Sequence, residues 1–175
     1  VHITIIVNIR AYLLLCPINL QTIMSELKEG SVAPDFHGLD QNDENISLSQ
    51  FNGKKLILYF YPKDNTPGCT KESCNLRDNY SDLLNMGYAI VGVSADSAAK
   101  HQNFIAKYDL PFPLIADVNK EIIKSYGCWG LKKFMGREYE GILRKTFVIE
   151  NNTIVKMFDK VKTNDHAKQI LEAMN

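Results

Sequence analysis

The sequence predicts an α/β sandwich, a central mixed sheet flanked by helices, and three observations carry that prediction. Two short, continuous apolar runs, KKLILYFY at residues 54–61 and YAIVGVSAD at residues 88–96, have the character of strands buried on both faces. Between them Leu76, Tyr80, Leu83 and Leu84 recur at helical spacing, which gives a strand–helix–strand unit. Downstream, RKTFVIE and TIVKMFD flank an Asn pair and read as a hairpin, with one more helical stretch behind it.

The elements follow in order. After the strand of residues 54–61, Thr66 suits a helix N-cap, and Pro67 suits the first helical position, where its missing N–H costs nothing. Gly87 ends that helix, as a glycine past the last turn does. The second strand is followed by a helix over residues 97–108, a strand at PFPLIAD, a short helix near residues 120–126 and the loop GCWGLKKFMGREYEG. Asn151-Asn152 tolerates the positive φ that a tight hairpin turn requires, and the last helix spans about residues 164–174 with Asn164 as its N-cap. No repeat or low-complexity tract interrupts the chain. The order βαβ, insertion, ββα, with two cysteines just after the first buried strand, is that of a thioredoxin-like sandwich.

Composition limits the function. A chain of 175 residues, 45% hydrophobic and 23% charged, is the size of one domain and buries a core without staples. Lys plus Arg and Asp plus Glu both total 20, so no basic surplus exists to bind a phosphate backbone and nucleic acid is not an expected partner. Four cysteines, Cys16, Cys69, Cys74 and Cys128, are too few and too irregular for a secreted disulfide framework and point to a reducing, cytoplasmic setting. Residues 1–23 hold no Asp or Glu and one Arg, and the composition turns mixed at Met24. Asn8 and Arg10 break that stretch into pieces too short to span a bilayer, so no membrane anchor is expected. It reads as an extension, an over-long start or a targeting segment, ahead of a domain over residues 24–175.

The stretch YPKDNTPGCTKESC places Cys69 and Cys74 five residues apart, which admits half a metal site, two core thiols or a reactive thiol. Zinc sites usually offer cysteines two to four residues apart with a second ligand pair nearby; here the spacing is wider and no such cluster follows. A buried Cys behaves as a small hydrophobe, which suits Cys16 and Cys128 but leaves Thr-Pro-Gly ahead of Cys69 unexplained. With Thr66 as N-cap, Cys69 is the third helical residue, at the positive helix end, where cysteine pKa values fall from about 8.5 to roughly 3.5–7.5 when a cation lies nearby. Cys69 is therefore expected to be largely thiolate at neutral pH. It also precedes Leu76 by seven residues, on the stripe that packs inward, so its sulfur should occupy a pocket.

Pro62, Thr66 and Cys69 reproduce a PxxxTxxC pattern, and FYPKDNTPGCTKESC resembles the Q-type peroxiredoxins, also called bacterioferritin comigratory proteins. The resemblance extends over residues 24–175, through VAPDF, VGVSAD, YGCWGLKKFMGREYEG and GILRKTFVIE. It implies a thiol peroxidase in which Cys69 attacks a hydroperoxide O–O bond and becomes a sulfenic acid. Arg144 would hold the thiolate and peroxide oxygens, although such a residue can also be a solvated charge at a strand end. Thr66 would offer its hydroxyl to the same atoms, and Pro62 would shield the pocket. Cys74 matches the resolving cysteine of the family, with thioredoxin or a similar dithiol as reductant, no cofactor or metal, and a monomeric state. Cys128 departs from the relatives' pattern and raises the prospect of side disulfides. A thioredoxin-like carrier would instead use CxxC, and a non-catalytic binder would need neither Thr66 nor Arg144. Since residues 1–23 match no part of the pattern, a chain beginning at Met24 is expected to fold as stably and turn over as fast as the longer one. Loss of its cooperative thermal transition would instead place residues 1–23 in the domain.

Overall fold

The computed structural model describes residues 26–134 and 136–174, so the expectations for residues 1–23, Cys16 included, lie outside the described residues. Five strands form the central sheet: β3 (Lys55–Phe60), β4 (Tyr88–Ser94), β5 (Leu114–Ala116), β8 (Lys145–Glu150) and β9 (Thr153–Phe158), in the order β5-β4-β3-β8-β9. β3, β4 and β5 run parallel, while β8 pairs antiparallel with both β3 and β9. The mixed sheet predicted from sequence is therefore present, with the two long apolar runs as its centre.

Period-two alternation along these strands builds two cores, one on each face. Ile57, Tyr59 and Tyr61 point to one side, where they meet α1 (Pro67–Asp78), α2 (Tyr80–Asn85), α3 (Ala98–Tyr108) and α5 (His166–Met174) through Leu76, Leu83, Phe104 and Ile170. Leu56, Leu58 and Phe60 point to the other, against α4 (Glu121–Ser125) and the segments around Phe36 and Leu48. The latter belong to a region that sequence pattern left blank: a small hairpin of β1 (His37–Leu39) and β2 (Asn45–Ser47), followed by a 3-10 turn.

Several boundaries differ from expectation. The first helix does not run to Gly87; it breaks at Asn79, whose side chain bonds back to the Asn75 carbonyl, and α2 resumes at Tyr80. Leu84, expected on the inward stripe, is exposed as a result, whereas Gly87 does take the positive φ expected of it. The segment read as a loop over residues 127–141 is largely a hairpin of β6 (Trp129–Phe134) and β7 (Arg137–Ile142) outside the main sheet. Its outer strand carries REYEG, mostly exposed, and so offers no apolar period to detect. Asn151 and Asn152 both have positive φ, as the β8–β9 turn demands. The last helix begins at His166, with its first bond to the Asp165 carbonyl, one residue after the predicted cap.

Gly92 lies in β4 where no side chain fits: a Cβ there would come 2.6 Å from Leu114 Cδ2 and 2.7 Å from Tyr59 Cζ. Gly92→Ala is expected to destabilise the fold by about 1–3 kcal/mol through overpacking, read as a lower urea midpoint at unchanged slope. An unchanged midpoint would mean that both neighbours rearrange without strain.

Candidate active site

Residues 62–66 leave the carboxyl end of β3 and deliver the chain to α1. Asn65 in this loop takes the left-handed conformation, which turns the chain sharply. Buried polar contacts fix the turn. Asp64 donates its backbone N–H to Asp96 Oδ2 at 2.9 Å, and its carboxylate accepts the Tyr61 hydroxyl at 2.8 Å and lies 2.8 Å from His101 Nδ1 on α3. The other ring nitrogen of His101 faces the Ile115 carbonyl at 3.2 Å. Burial pushes the Asp96 carboxyl up, but the Asp64 amide and Lys100 outweigh it and leave it below its ordinary value. Sequence reading missed this network, because its members lie 32 and 37 residues apart and no local period joins them.

Thr66 caps α1 through its backbone, its carbonyl accepting the Thr70 N–H at 2.9 Å, and Pro67 takes the first helical position as predicted. Its side chain does not cap: the hydroxyl donates to the Lys63 carbonyl at 2.9 Å instead. A hydroxyl committed inside the loop holds residues 63–66 in their turn but makes no bond to Cys69 in this state. Pro62 is half-buried at the start of the same loop.

Cys69 is the third residue of α1 and is buried, 1% exposed, in the same core as Leu76 and Leu83. Arg144 reaches it from the short link between β7 and β8, Nη2 to Sγ at 3.2 Å. Its other terminal nitrogen pairs with Glu72 Oε2, so one guanidinium serves two acceptors one helical turn apart. Gly68 leaves room for this approach, since a Cβ there would stand 3.3 Å from Nη2. The inward stripe of α1 is thus Cys69, Glu72, Ser73 and Leu76, at i, i+3, i+4 and i+7.

Glu72 and Ser73 are polar in type yet lie on this buried stripe. Both are fully buried; Ser73 shares a 3.0 Å hydrogen bond with the Tyr59 hydroxyl, and Glu72 leaves Oε1 without a partner among the described residues. Spacing from Cys69 and Leu76 was the signal that could have revealed them. Lys132 on β6 adds a second cation nearby, donating to the Ile142 carbonyl at 2.9 Å; burial, and then the Arg144 charge, push its pKa down.

Cys74 lies on the same unbroken helix, half-buried, and is a free thiol, as are Cys69 and Cys128. Burial pushes the Cys74 thiol up, with Arg77 pulling against it and Asp78 adding to it. Cys128 packs in the core on the opposite face of the sheet, where burial pushes its thiol well above the ordinary range. This fits the reading of Cys128 as a small hydrophobe. No helix among the described residues is long and apolar enough to cross a membrane.

Comparison with known proteins identifies the family. Residues 30–158 match the model of the AhpC/TSA family. A putative peroxiredoxin Bcp of Haemophilus influenzae is 45% identical over 150 residues, covering 85% of this chain and 97% of that protein. Among solved structures, PrxQ of Xylella fastidiosa superposes with a TM-score of 0.80 at 29% identity, covering 86% of this chain and 96% of that one. The bacterioferritin comigratory protein of Xanthomonas campestris, described for its alkyl peroxide reduction activity, gives a TM-score of 0.74 at 32% identity and covers 79% of this chain and 89% of that one. Fold and matches define a thioredoxin-fold thiol enzyme. The chain belongs to the AhpC/TSA family and, within it, to the Bcp or Q-type peroxiredoxins, which makes it a thiol peroxidase.

Burial raises the Glu72 carboxyl from 4.5 to about 7, and the charge of Arg144 only partly offsets this. The folded state then holds this proton more tightly than the unfolded chain, so its contribution to stability is full below about pH 4.5 and is lost as pH rises through 7. Glu72→Gln is expected to flatten that fall: between pH 4.5 and 8 the parent should lose up to about 3 kcal/mol that the Gln variant keeps. Denaturation midpoints at a series of pH values measure it, and parallel profiles would contradict the assignment.

Proposed function

We propose that this chain reduces hydrogen peroxide and alkyl hydroperoxides through Cys69, forms a Cys69–Cys74 disulfide, and is recycled in the cytoplasm by thioredoxin or a similar dithiol protein. The observation that carries this reading is the 3.2 Å approach of Arg144 Nη2 to Cys69 Sγ at the first turn of α1. The Cys69 thiolate attacks one peroxide oxygen; the O–O bond breaks, its electron pair leaves on the other oxygen, and a proton completes water or an alcohol. Cys69 becomes a sulfenic acid. As negative charge shifts from sulfur to the leaving oxygen, Arg144 can follow it with charge-assisted hydrogen bonds, an interaction that strengthens toward the transition state. Thr66 can join by releasing the Lys63 carbonyl, and Pro62 and the residue 62–66 loop shape the approach. The described activity of the Xanthomonas relative supports the inclusion of alkyl hydroperoxides.

Resolution needs both thiols of one chain, so a monomer suffices. The Cys74 thiol attacks the sulfenic sulfur, water leaves, and an exposed dithiol then exchanges with the disulfide and takes up the oxidising equivalents. The alternative of a general disulfide carrier is disfavoured by the Arg144 contact, which a carrier does not need.

Peroxide consumption coupled to NADPH through thioredoxin reductase and thioredoxin tests the reading. Cys69→Ser should abolish turnover; residual turnover would move the nucleophile to another cysteine. Arg144→Ala should remain folded and lower the second-order rate with peroxide by two or more orders of magnitude, roughly the scale seen when one transition-state donor is removed. An unchanged rate would refute its role.

A further inference from the structure

Asn75 follows Cys74 directly, and its side chain is spent entirely on α5 and the segment leading into it. Its Oδ1 accepts the Ala167 N–H at 2.8 Å and its Nδ2 donates to the Asn164 carbonyl at 3.1 Å. Ala167 is the second residue of α5, so its N–H has no acceptor within that helix and is capped from α1 instead. The receiving end is fixed. His166 is fully buried between the Thr146 hydroxyl, 2.8 Å from Nε2, and Gln169 Oε1, 3.0 Å from Nδ1, and packs edge-on against Phe158. Ala167 and Ile170 sit in the core that also holds Cys69 and Leu76.

The disulfide sets this contact against the chemistry. On one α-helix, Cα atoms five residues apart are separated by about 8–9 Å and by roughly 140° of rotation, whereas a disulfide tolerates at most about 7 Å. The backbone carrying Cys74 has to leave its helical place to reach Cys69, and the adjacent Asn75 side chain is tied to a part of the core with no reason to move. We propose that Asn75 is a latch: a positioning residue whose two bonds, one to the Ala167 N–H at the start of α5 and one to the Asn164 carbonyl just ahead of it, hold Cys74 out of reach, so that their release sets the rate of resolution. The proposal rests on the reading of Cys69 as the attacking thiol and Cys74 as its partner.

The latch controls a partition. A sulfenic acid on Cys69 either condenses with the Cys74 thiol, giving the disulfide and water, or is oxidised by a second hydroperoxide to a sulfinic acid, releasing water or an alcohol. The tighter the latch, the longer the sulfenic acid waits and the more of it is lost to the second route.

Rapid mixing of the full chain with hydrogen peroxide, followed by acid quench, thiol alkylation and mass spectrometry, reads all three species. In Asn75→Ala, sulfenic acid formation should keep its second-order rate, and disulfide formation should accelerate about tenfold, the scale on which losing one or two ordinary hydrogen bonds shifts a local opening. The peroxide concentration that converts half the chains to sulfinic acid should rise by a similar factor. Asn75→Asp keeps the acceptor for Ala167 but not the donor to Asn164, and should accelerate resolution less; it also serves if the Ala variant folds poorly. Disulfide formation at the parent rate or slower in both variants overturns the latch while leaving Cys69 and Cys74 in their roles. Absence of any Cys69–Cys74 disulfide in the parent overturns both readings at once.

Discussion

Everything in this molecule turns on a single unbroken helix that carries two thiols in places where they cannot meet. The inward face of α1 is largely polar yet buried, and its residues are held by several elements: Cys69 and Glu72 by Arg144, Ser73 by Tyr59 of β3, Leu76 by the core, with neighbouring Asn75 held by α5. Remove the helix and these contacts lose their common frame. The sheet provides the reference from which that helix is placed. β3 ends in the residue 62–66 turn, and the buried Asp64–His101–Asp96 network fixes where α1 starts.

Electrostatics at this helix start follow from one cation shared between two acceptors. A buried carboxyl beside a guanidinium is ordinarily held ionised, but the guanidinium here also faces sulfur, and desolvation of Glu72 outweighs the remaining attraction. As pH falls through about 7, Glu72 takes up a proton and no longer buries a full negative charge against Arg144. The unpartnered Oε1 gives that neutral form a place for its proton. Glu72 thus keeps Arg144 oriented without claiming all of its charge, leaving Nη2 to Cys69.

Much of this was legible in the sequence, and the reasons divide cleanly. β3 and β4 announced themselves because strands covered on both faces need unbroken apolar runs, and the Asn151-Asn152 turn did so because few residues accept its backbone. The position of Cys69 followed from Thr66 and Pro67, and that of Leu76 from its period. Arg144 was different: nothing local marks an arginine between two strands, and only the resemblance pointed to it. Exposed strands hid the β6–β7 hairpin, for alternation is silent where neither face is apolar. The network of Asp64 and His101 stayed invisible because partners so far apart in sequence share no pattern. Glu72 and Ser73 went unnoticed for a subtler reason. Polar residue types do not announce burial, whereas spacing places them on the inward stripe, and Tyr59 and Arg144 supply the hydrogen bonds that make their burial tolerable.

The central claim is that α1 must open for the two thiols to bond while the sheet stays closed. Amide hydrogen exchange compared between the reduced protein and its disulfide form tests this most directly. Oxidation should strip protection from residues 70–76 and from the Ala167 amide, and leave β3, β4 and β8 as protected as before. Equal protection of residues 70–76 in both forms would contradict the account.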